Sequence, residues 1–450
     1  MKITYIEEPL LQFGSGSHVC PKGGINTYSP YDYFHEDRPE KIRLGLIGIG
    51  ESTDKINHWV DRCRHNISSE KDKLKNLFLS FPGFNENTAF KARIVCPEGY
   101  IRKIRNSSFN SVLSIGNLSE RLNELVELFL TEIEFLSQNK KPDVILCILP
   151  EESISVIWES AKKTHKVKKK VTSEEMEVLG IGKEKEQVQL EQNFRRALKA
   201  KTMQHNIPIQ IVRDRIVEPK RDMQDPATIA WNFFSALYYK AGGIPWALER
   251  KVENISCYAG ISFYRSRDRK TTETSVAQIF NELGKGVILR GEPIQINKKS
   301  KTPHLTIEQA NTLLSQALNE YKKAIKTMPQ RLVLHKTSNF NDDELLGFRS
   351  AADSFGIDML DLVTIQEFTP LRLYKDSSNS QAKEYPPSRG TMLSLDDKNH
   401  LLYTRGYIPH YETYPGGYIP SPLLVKTFQA EESPKLICEE ILKLTKLNTL

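Results

Sequence analysis

Residues 193–210 read NFRRALKAKTMQHNIPIQ: an apparent helix, spanning about 185–206, that carries two arginines and two lysines and leads into a short Pro-led strand. On that helix Arg195 and Lys199 stand four residues apart and share a face. Gln210 follows Lys199 by eleven residues, on the strand, and Lys240 follows Gln210 by thirty, near the end of another helix. A single cation on a helix is ordinarily solvated, and none of these residues means much alone. As a set they have the chemistry of an anion site. A terminal phosphate carries roughly two negative charges. Arginine offers it a planar fork, lysine a compact point charge and glutamine an amide N–H that adds no charge.

These residues need a scaffold, and the surrounding pattern is that of an α/β protein. IRLGLIGI, residues 42–49, reads as a buried strand, followed by a helix near 51–66. NLFLSF, ARIVC and SVLSI read as further short strands, and SERLNELVELFLTEIEFLSQ as an amphipathic helix. PDVILCILP is apolar throughout, as expected of a strand covered on both faces of a parallel sheet. Strands and helices alternating in this way predict a doubly wound layer. After Asp225-Pro226 comes PATIAWNFFSALYYKAGG, a helix started by Pro and ended by Gly. Strands are expected in NISCYAGISFYRS, GKGVILRG, RLVLHKT, LDLVTIQEF, LRLYK, GTMLSL and HLLYTRG, with an apolar segment SVAQIF after the turn RSRDRKT. Helices are expected at 307–327, in DDELLGFRSAADSFG and in the closing SPKLICEEILKLTKLNTL. The resulting division is an irregular extension over 1–40, then domains over 41–225 and 226–450. The charge-dense stretch 161–186 reads as a solvated loop, with a surface that tracks a nucleic-acid backbone as the alternative.

Composition narrows the classes. The chain has 450 residues, 39% hydrophobic and 26% charged, with a formal net charge of +7. That mildly basic balance permits a polyanionic partner. The six cysteines form no CxxC pair and have no His nearby at ligand spacing, which argues against a disulfide scaffold or a zinc site. Cys147 and Cys257 lie in apolar runs and read as core residues. No run of about eighteen apolar residues occurs, so a cytoplasmic protein is expected. GLIGIGES follows a strand, yet Gly45, Gly48 and Gly50 are followed by Thr53 where a dinucleotide fingerprint needs its third glycine. Those glycines are expected to allow close packing of strand and helix.

Arg195, Lys199, Gln210 and Lys240, with YYKAGGIPW around the last, resemble the guide 5′-phosphate pocket of Argonaute proteins. That family uses an aromatic, His or Arg residue, a Lys one turn later, a Gln, and a Lys on a later helix. The resemblance implies a Rossmann-like MID domain followed by an RNase H-like PIWI domain. It also implies Mg2+ at the phosphate, held by the terminal carboxylate of Leu450 with Gln210 as a further candidate ligand. The ending LTKLNTL and the leader EEPLLQFG are similar to those of the short prokaryotic Argonautes, which lack N-terminal and PAZ domains.

Active PIWI domains gather carboxylates around two metal ions. In CYAGISFY the position of the first carboxylate falls on Ser262, and after RLVLHKT the second falls on Thr337. Neutral hydroxyls cannot replace anionic oxygen ligands, so the chain is expected to be nuclease-inactive. Asp342, Asp343 and Glu344 follow closely but read as the first turn of a helix, where acids favour the dipole. A metal-dependent, guide-directed nuclease with displaced carboxylates is the alternative. The resemblance further implies an RNA guide, a single-stranded DNA target and an APAZ-containing effector protein. That partner would be a TIR or sirtuin-like NAD-consuming protein or a nuclease, held as a heterodimer, able to assemble further, and switched on during plasmid or phage invasion. Arg213, Arg215, Lys220 and Arg221, and Arg265, Arg267, Arg269 and Lys270, read as solvated turns with backbone contact as the alternative. Tyr238 and Tyr239 are candidates to stack on a base, with core packing expected for at least one.

Overall fold

A computed structural model describes residues 1–70, 74–158, 193–219, 223–249, 256–265, 272–280, 286–294, 303–367, 371–373, 386–416 and 418–447. The chain divides into two compact units, one of Ile25–Lys73 and Phe78–Pro245, the other of Met1–Gly24, Leu74–Leu77 and Trp246–Leu450.

The first unit is built on a parallel sheet in the order Arg93–Val95, Lys41–Ile49, Val144–Leu149, Ile209–Arg213, with Ile101–Ile104 paired along the second half of Lys41–Ile49. All six residues of Val144–Leu149 are buried, as the apolar run predicts. On one face the helix Leu118–Asn139 and the helix 193–202 pack through Leu125, Phe129, Ile133, Phe194 and Leu198 onto Ile145, Cys147, Ile209 and Ile211. A separate aromatic cluster joins the helices Gly50–Arg62 and Pro226–Lys240 to the loop before Arg93. Trp59 stacks on Phe234, and Phe81 and Phe84 lie 5.3 and 5.0 Å from it. The glycines of GLIGIGES do permit close approach: a Cβ on Gly48 would come within 3.0 Å of Ile148 Cβ and 3.1 Å of Thr53 Oγ1.

Two short segments depart from expectation. SVLSI does not form a strand; the helix Asn106–Leu113 runs through it, with Phe109 buried and Val112 and Leu113 packed against the same core. That helical spacing begins at Phe109, ahead of the apolar segment. NLFLSF is a turn with a single bridge, Ile67 to Phe81, because its aromatic residue is drawn into the Trp231 cluster rather than onto a ladder.

The second unit holds a nine-stranded mixed sheet. Ser256–Arg265, Arg331–Lys336 and Met359–Glu367 are parallel neighbours. Thr272–Phe280 and Gly286–Ile294 extend one side antiparallel, and Leu423–Gln429, Asn399–Leu402, Thr391–Ser394 and Lys2–Tyr5 extend the other. The first forty residues are therefore not simply irregular. Lys2–Tyr5 is an edge strand on Thr391–Ser394, and Leu11–Gln12 pairs with both Ser17–His18 and Ala247–Leu248. Partners this distant leave no local period to read. The segment 371–373 of LRLYK is not a strand, and the rest of it lies outside the described residues.

The helices Ile307–Ile325 and Asp342–Ser354 cover one face, each opened by a capping box, Thr306 with Gln309 and Asn341 with Glu344. They meet at Gly347, where a Cβ would sit 2.3 Å from the Ile307 carbonyl oxygen and 2.7 Å from Ala310 Cβ. Gly347→Ala is expected to destabilise this unit by about 1–3 kcal/mol, because backbone must move to admit the methyl. Urea unfolding checks this; an unchanged midpoint would mean that the helices have room to part.

On the sheet's other side, Arg331 is buried with two carboxylates. It reaches Asp361 at 2.5 Å and Glu440 at 2.6 Å, and Tyr258 donates its hydroxyl to Glu440 at 3.1 Å. This ties the strands that begin at Arg331 and Met359 to the helix Pro434–Leu444.

Candidate functional site

Lys240 sits in the last turn of Pro226–Lys240, a helix whose start is fixed by Asp225 accepting from Thr228 N at 3.1 Å. A cation in a last turn is favoured by the helix dipole. Ile209 and Ile211 face the core beneath the helix 193–202, so the strand's alternation turns Gln210 to the opposite face. There the Lys240 ammonium donates to Gln210 Oε1 at 3.1 Å. The Arg195 guanidinium donates to the Ile211 carbonyl at 3.3 Å, one residue along that strand.

The charge balance of this corner is one-sided. Burial pushes Lys240 down to about 8, and the positive charges of Lys199 and Arg195 push it in the same direction. The Cys147 thiol, itself raised by burial, acts on Lys240 in the opposite direction. The structure thus brings Arg195, Lys199, Gln210 and Lys240 to one place, three cations and an amide. Like charges brought this close favour an anion among them.

The same corner does not suit a divalent cation on its own. Gln210 Oε1 already accepts from Lys240, and the other three groups are positive. Leu450, on which the magnesium expectation rests, lies outside the described residues.

One positioning residue is absent from the sequence reading. Asp32 is buried, accepts from the Tyr238 hydroxyl at 2.7 Å and from Ile244 N at 2.8 Å, and so holds the turn just after Lys240. Burial raises its pKa, against hydrogen bonds from Ile244 and Tyr238. Its only sequence signal is an acid within YDYF, in a stretch read as irregular. Tyr238 is accordingly a core residue and not a stacking surface, whereas Tyr239 is half exposed.

Arg213 and Arg215 lie 3.7 and 3.4 Å from Glu151. Lys220, Arg221, Arg267, Arg269 and Lys270 lie outside the described residues, as does the stretch 161–186; only the backbone of Arg265 is described.

In the second unit Ile261 and Lys336 are paired in register on adjacent parallel strands. Ser262 and Thr337 each follow one residue later, so the two hydroxyl residues stand beside each other in the fold, both exposed. Glu344 points elsewhere. Fully buried, it takes the Lys336 ammonium at 2.5 Å and the Leu305 N–H at 3.0 Å while closing the Asn341 cap. Asp342 and Asp343 are exposed in the first turn of that helix, as read from the sequence. Among the described residues one group of three potential metal ligands is found, His18, Cys20 and His410, and it lies in neither of these places. It corrects the reading that no cysteine has a histidine at ligand spacing: His18 and Cys20 are two residues apart, and His410 is supplied by the fold.

Known structures match this arrangement. The chain superposes over 99% of its length on Clostridium butyricum Argonaute bound to a guide DNA and a 19-mer target DNA, with TM-score 0.64 and 14% identity. The fold is that of the Argonautes. A. aeolicus Argonaute gives TM-score 0.55 at 14% identity, and Marinitoga piezophila Argonaute in complex with a 5′ OH guide RNA gives 0.53 at 12%, each again over 99% of this chain. The chain spans about half the length of these structures, 50% of the C. butyricum and A. aeolicus chains and 54% of the M. piezophila chain. No family model matches the sequence, and no curated protein matches it. The Argonaute fold accounts for the mixed α/β architecture of both units. No described helix is long and apolar enough to cross a membrane.

Proposed function

We propose that the chain is a guide-directed nucleic-acid recognition subunit, with the first unit acting as a MID domain and the second as a PIWI domain. Arg195, Lys199, Gln210 and Lys240 bind the 5′ phosphate of the guide. The observation that carries this reading is the corner in which half-buried Lys240 donates to Gln210 Oε1 at 3.1 Å and feels the positive charges of Lys199 and Arg195. A dianionic phosphate matches the positive charge of this corner, and a paired oligonucleotide then provides sequence recognition through its bases. The guide-bound and target-bound Argonautes that share the fold support a nucleic-acid ligand. An RNA guide and a single-stranded DNA target belong to the proposal, as does Mg2+ at the phosphate if Leu450 and the phosphate oxygens complete its shell.

Hydroxyl residues at Ser262 and Thr337, with Glu344 engaged by Lys336, support a subunit that binds without cutting. On this reading the output comes from an APAZ-containing partner, an NAD-depleting TIR or sirtuin-like effector or a nuclease, in a defence complex acting on plasmids or phages. Incubation with a 5′-phosphorylated guide, a complementary target and Mg2+ or Mn2+ is the test. Retention of the target uncut is expected; guide-dependent cleavage would instead favour a nuclease with displaced carboxylates.

A pH dependence follows from Lys240. With the folded pKa at about 8, the free site loses this charge above that pH, and a bound phosphate restores the proton. Binding is therefore linked to proton uptake, and affinity for 5′-phosphorylated guides is expected to fall by up to roughly tenfold between about pH 8 and 9. The phosphate is already fully ionised in that range, its second pKa being about 6, and 5′-hydroxyl guides should show no such fall. Fluorescence anisotropy across this range checks the difference.

A further inference from the structure

We infer that His18, Cys20 and His410 form a zinc site in the second unit. One ring nitrogen from each histidine and Cys20 Sγ all lie within 4.8 Å of one another. Two imidazoles and a thiolate suit zinc, whereas magnesium and calcium take oxygen ligands. Tetrahedral zinc with N and S ligands at about 2.0–2.3 Å needs those atoms roughly 3.5 Å apart, so small side-chain rotations close the set.

The surroundings prepare the ligands. His18 Nδ1 is 2.9 Å from both the backbone N–H and the carbonyl oxygen of Cys20, which fixes the ring beside the cysteine with Nε2 on its far side. Hydrogen bonds from outside the ligand set are what usually orient metal-binding histidines. Gly23 lies flat against the His18 ring, where a Cβ would come within 2.6 Å of Cε1. The rings of His18 and His410 meet edge-on at 5.0 Å. Lys446 donates to Val19 O at 2.9 Å and to Pro9 O at 2.5 Å, pinning the chain between the first two ligands. The Gly23 N–H donates to the Cys20 sulfur at 3.5 Å.

Binding replaces the thiol proton: Cys20–SH and Zn2+ give a Cys20–S–Zn bond and a released proton. The ion closes a loop of about 390 residues, between Cys20 and the turn Pro409–Tyr411, which makes it a structural staple for the N-terminal strands. Three protein ligands leave a fourth tetrahedral position for water.

Protein purified without chelator or an affinity tag of histidines, incubated with zinc and passed over gel filtration, is expected to retain about one zinc per chain by mass spectrometry. Cobalt substitution should give a thiolate-to-metal charge-transfer band. His410→Asn should reduce retained zinc to background with unchanged circular dichroism, and Cys20→Ser should abolish the charge-transfer band. If Cys20→Ser does not fold, His410→Asn and the cobalt spectrum of the unaltered protein decide. No retained zinc, or zinc undiminished in His410→Asn, would overturn the assignment.

Discussion

Replacing Lys240 by alanine is expected to weaken binding of a 5′-phosphorylated guide by roughly 10- to 100-fold, since a hydrogen bond to a charged group contributes about 1.5–3 kcal/mol. The same guide ending in a 5′ hydroxyl should change little. The asymmetry matters more than the size. Lys240 is half-buried, so its charge is less screened than that of an exposed lysine, and its ammonium already faces Gln210 Oε1 at 3.1 Å. Lys199 is exposed, and Lys199→Ala should show the same selectivity with a smaller loss. Removing either cation also relieves repulsion in the empty site, so neither variant should be less stable than the parent. A variant that loses both guides equally would point to a general backbone contact and not to a terminal phosphate.

Arg331→Met is the second large effect. It leaves Asp361 and Glu440 buried without their cation, and breaking such a group costs about 3–5 kcal/mol. The pH dependence separates lost charge from lost packing. Burial holds the Glu440 carboxyl above its usual range, although Arg331 and Tyr258 oppose this. Without Arg331 that rise should grow. A carboxyl whose folded pKa exceeds its unfolded value binds more protons when folded, so its contribution falls as pH rises through that range. Arg331→Met should therefore be closer to the parent at about pH 5 than at about pH 8, and denaturant melts at the two pH values check it. An equal deficit at both would assign the loss to packing alone.

The legible parts of the fold are those with a local physical cause. Val144–Leu149 could be read because a strand covered on both faces needs an unbroken apolar run. Pro226–Lys240 could be read because Asp225, Pro226 and the following glycines mark both its ends. Asp342, Asp343 and Glu344 were legible as a helix start for the same reason, though the buried pairing of Glu344 with Lys336 was not. What escaped depends on partners far along the chain. Lys2–Tyr5 is a strand because of Thr391–Ser394, and Asp32 matters because of Tyr238 and Ile244. His410 completes a group with His18 and Cys20 only after folding.

At the candidate site, helical period alone put Arg195 and Lys199 on one face. The approach of Lys240 to Gln210 has no local signature, and the resemblance to a known pocket was needed to suggest it. Cys147 is a core residue, as its apolar run implies, yet its electrostatic influence on Lys240 shows only in the folded sheet.

The central claim is that the cation cluster of the first unit takes the charged end of a nucleic-acid strand. One oligonucleotide, prepared with a 5′ phosphate and with a 5′ hydroxyl, competed for the unaltered protein at fixed salt, tests it most directly. A preference for the phosphorylated strand of roughly tenfold or more is predicted, from charge-assisted bonds absent in the other. Indifference between the two strands, or preference for the hydroxyl form, would contradict it.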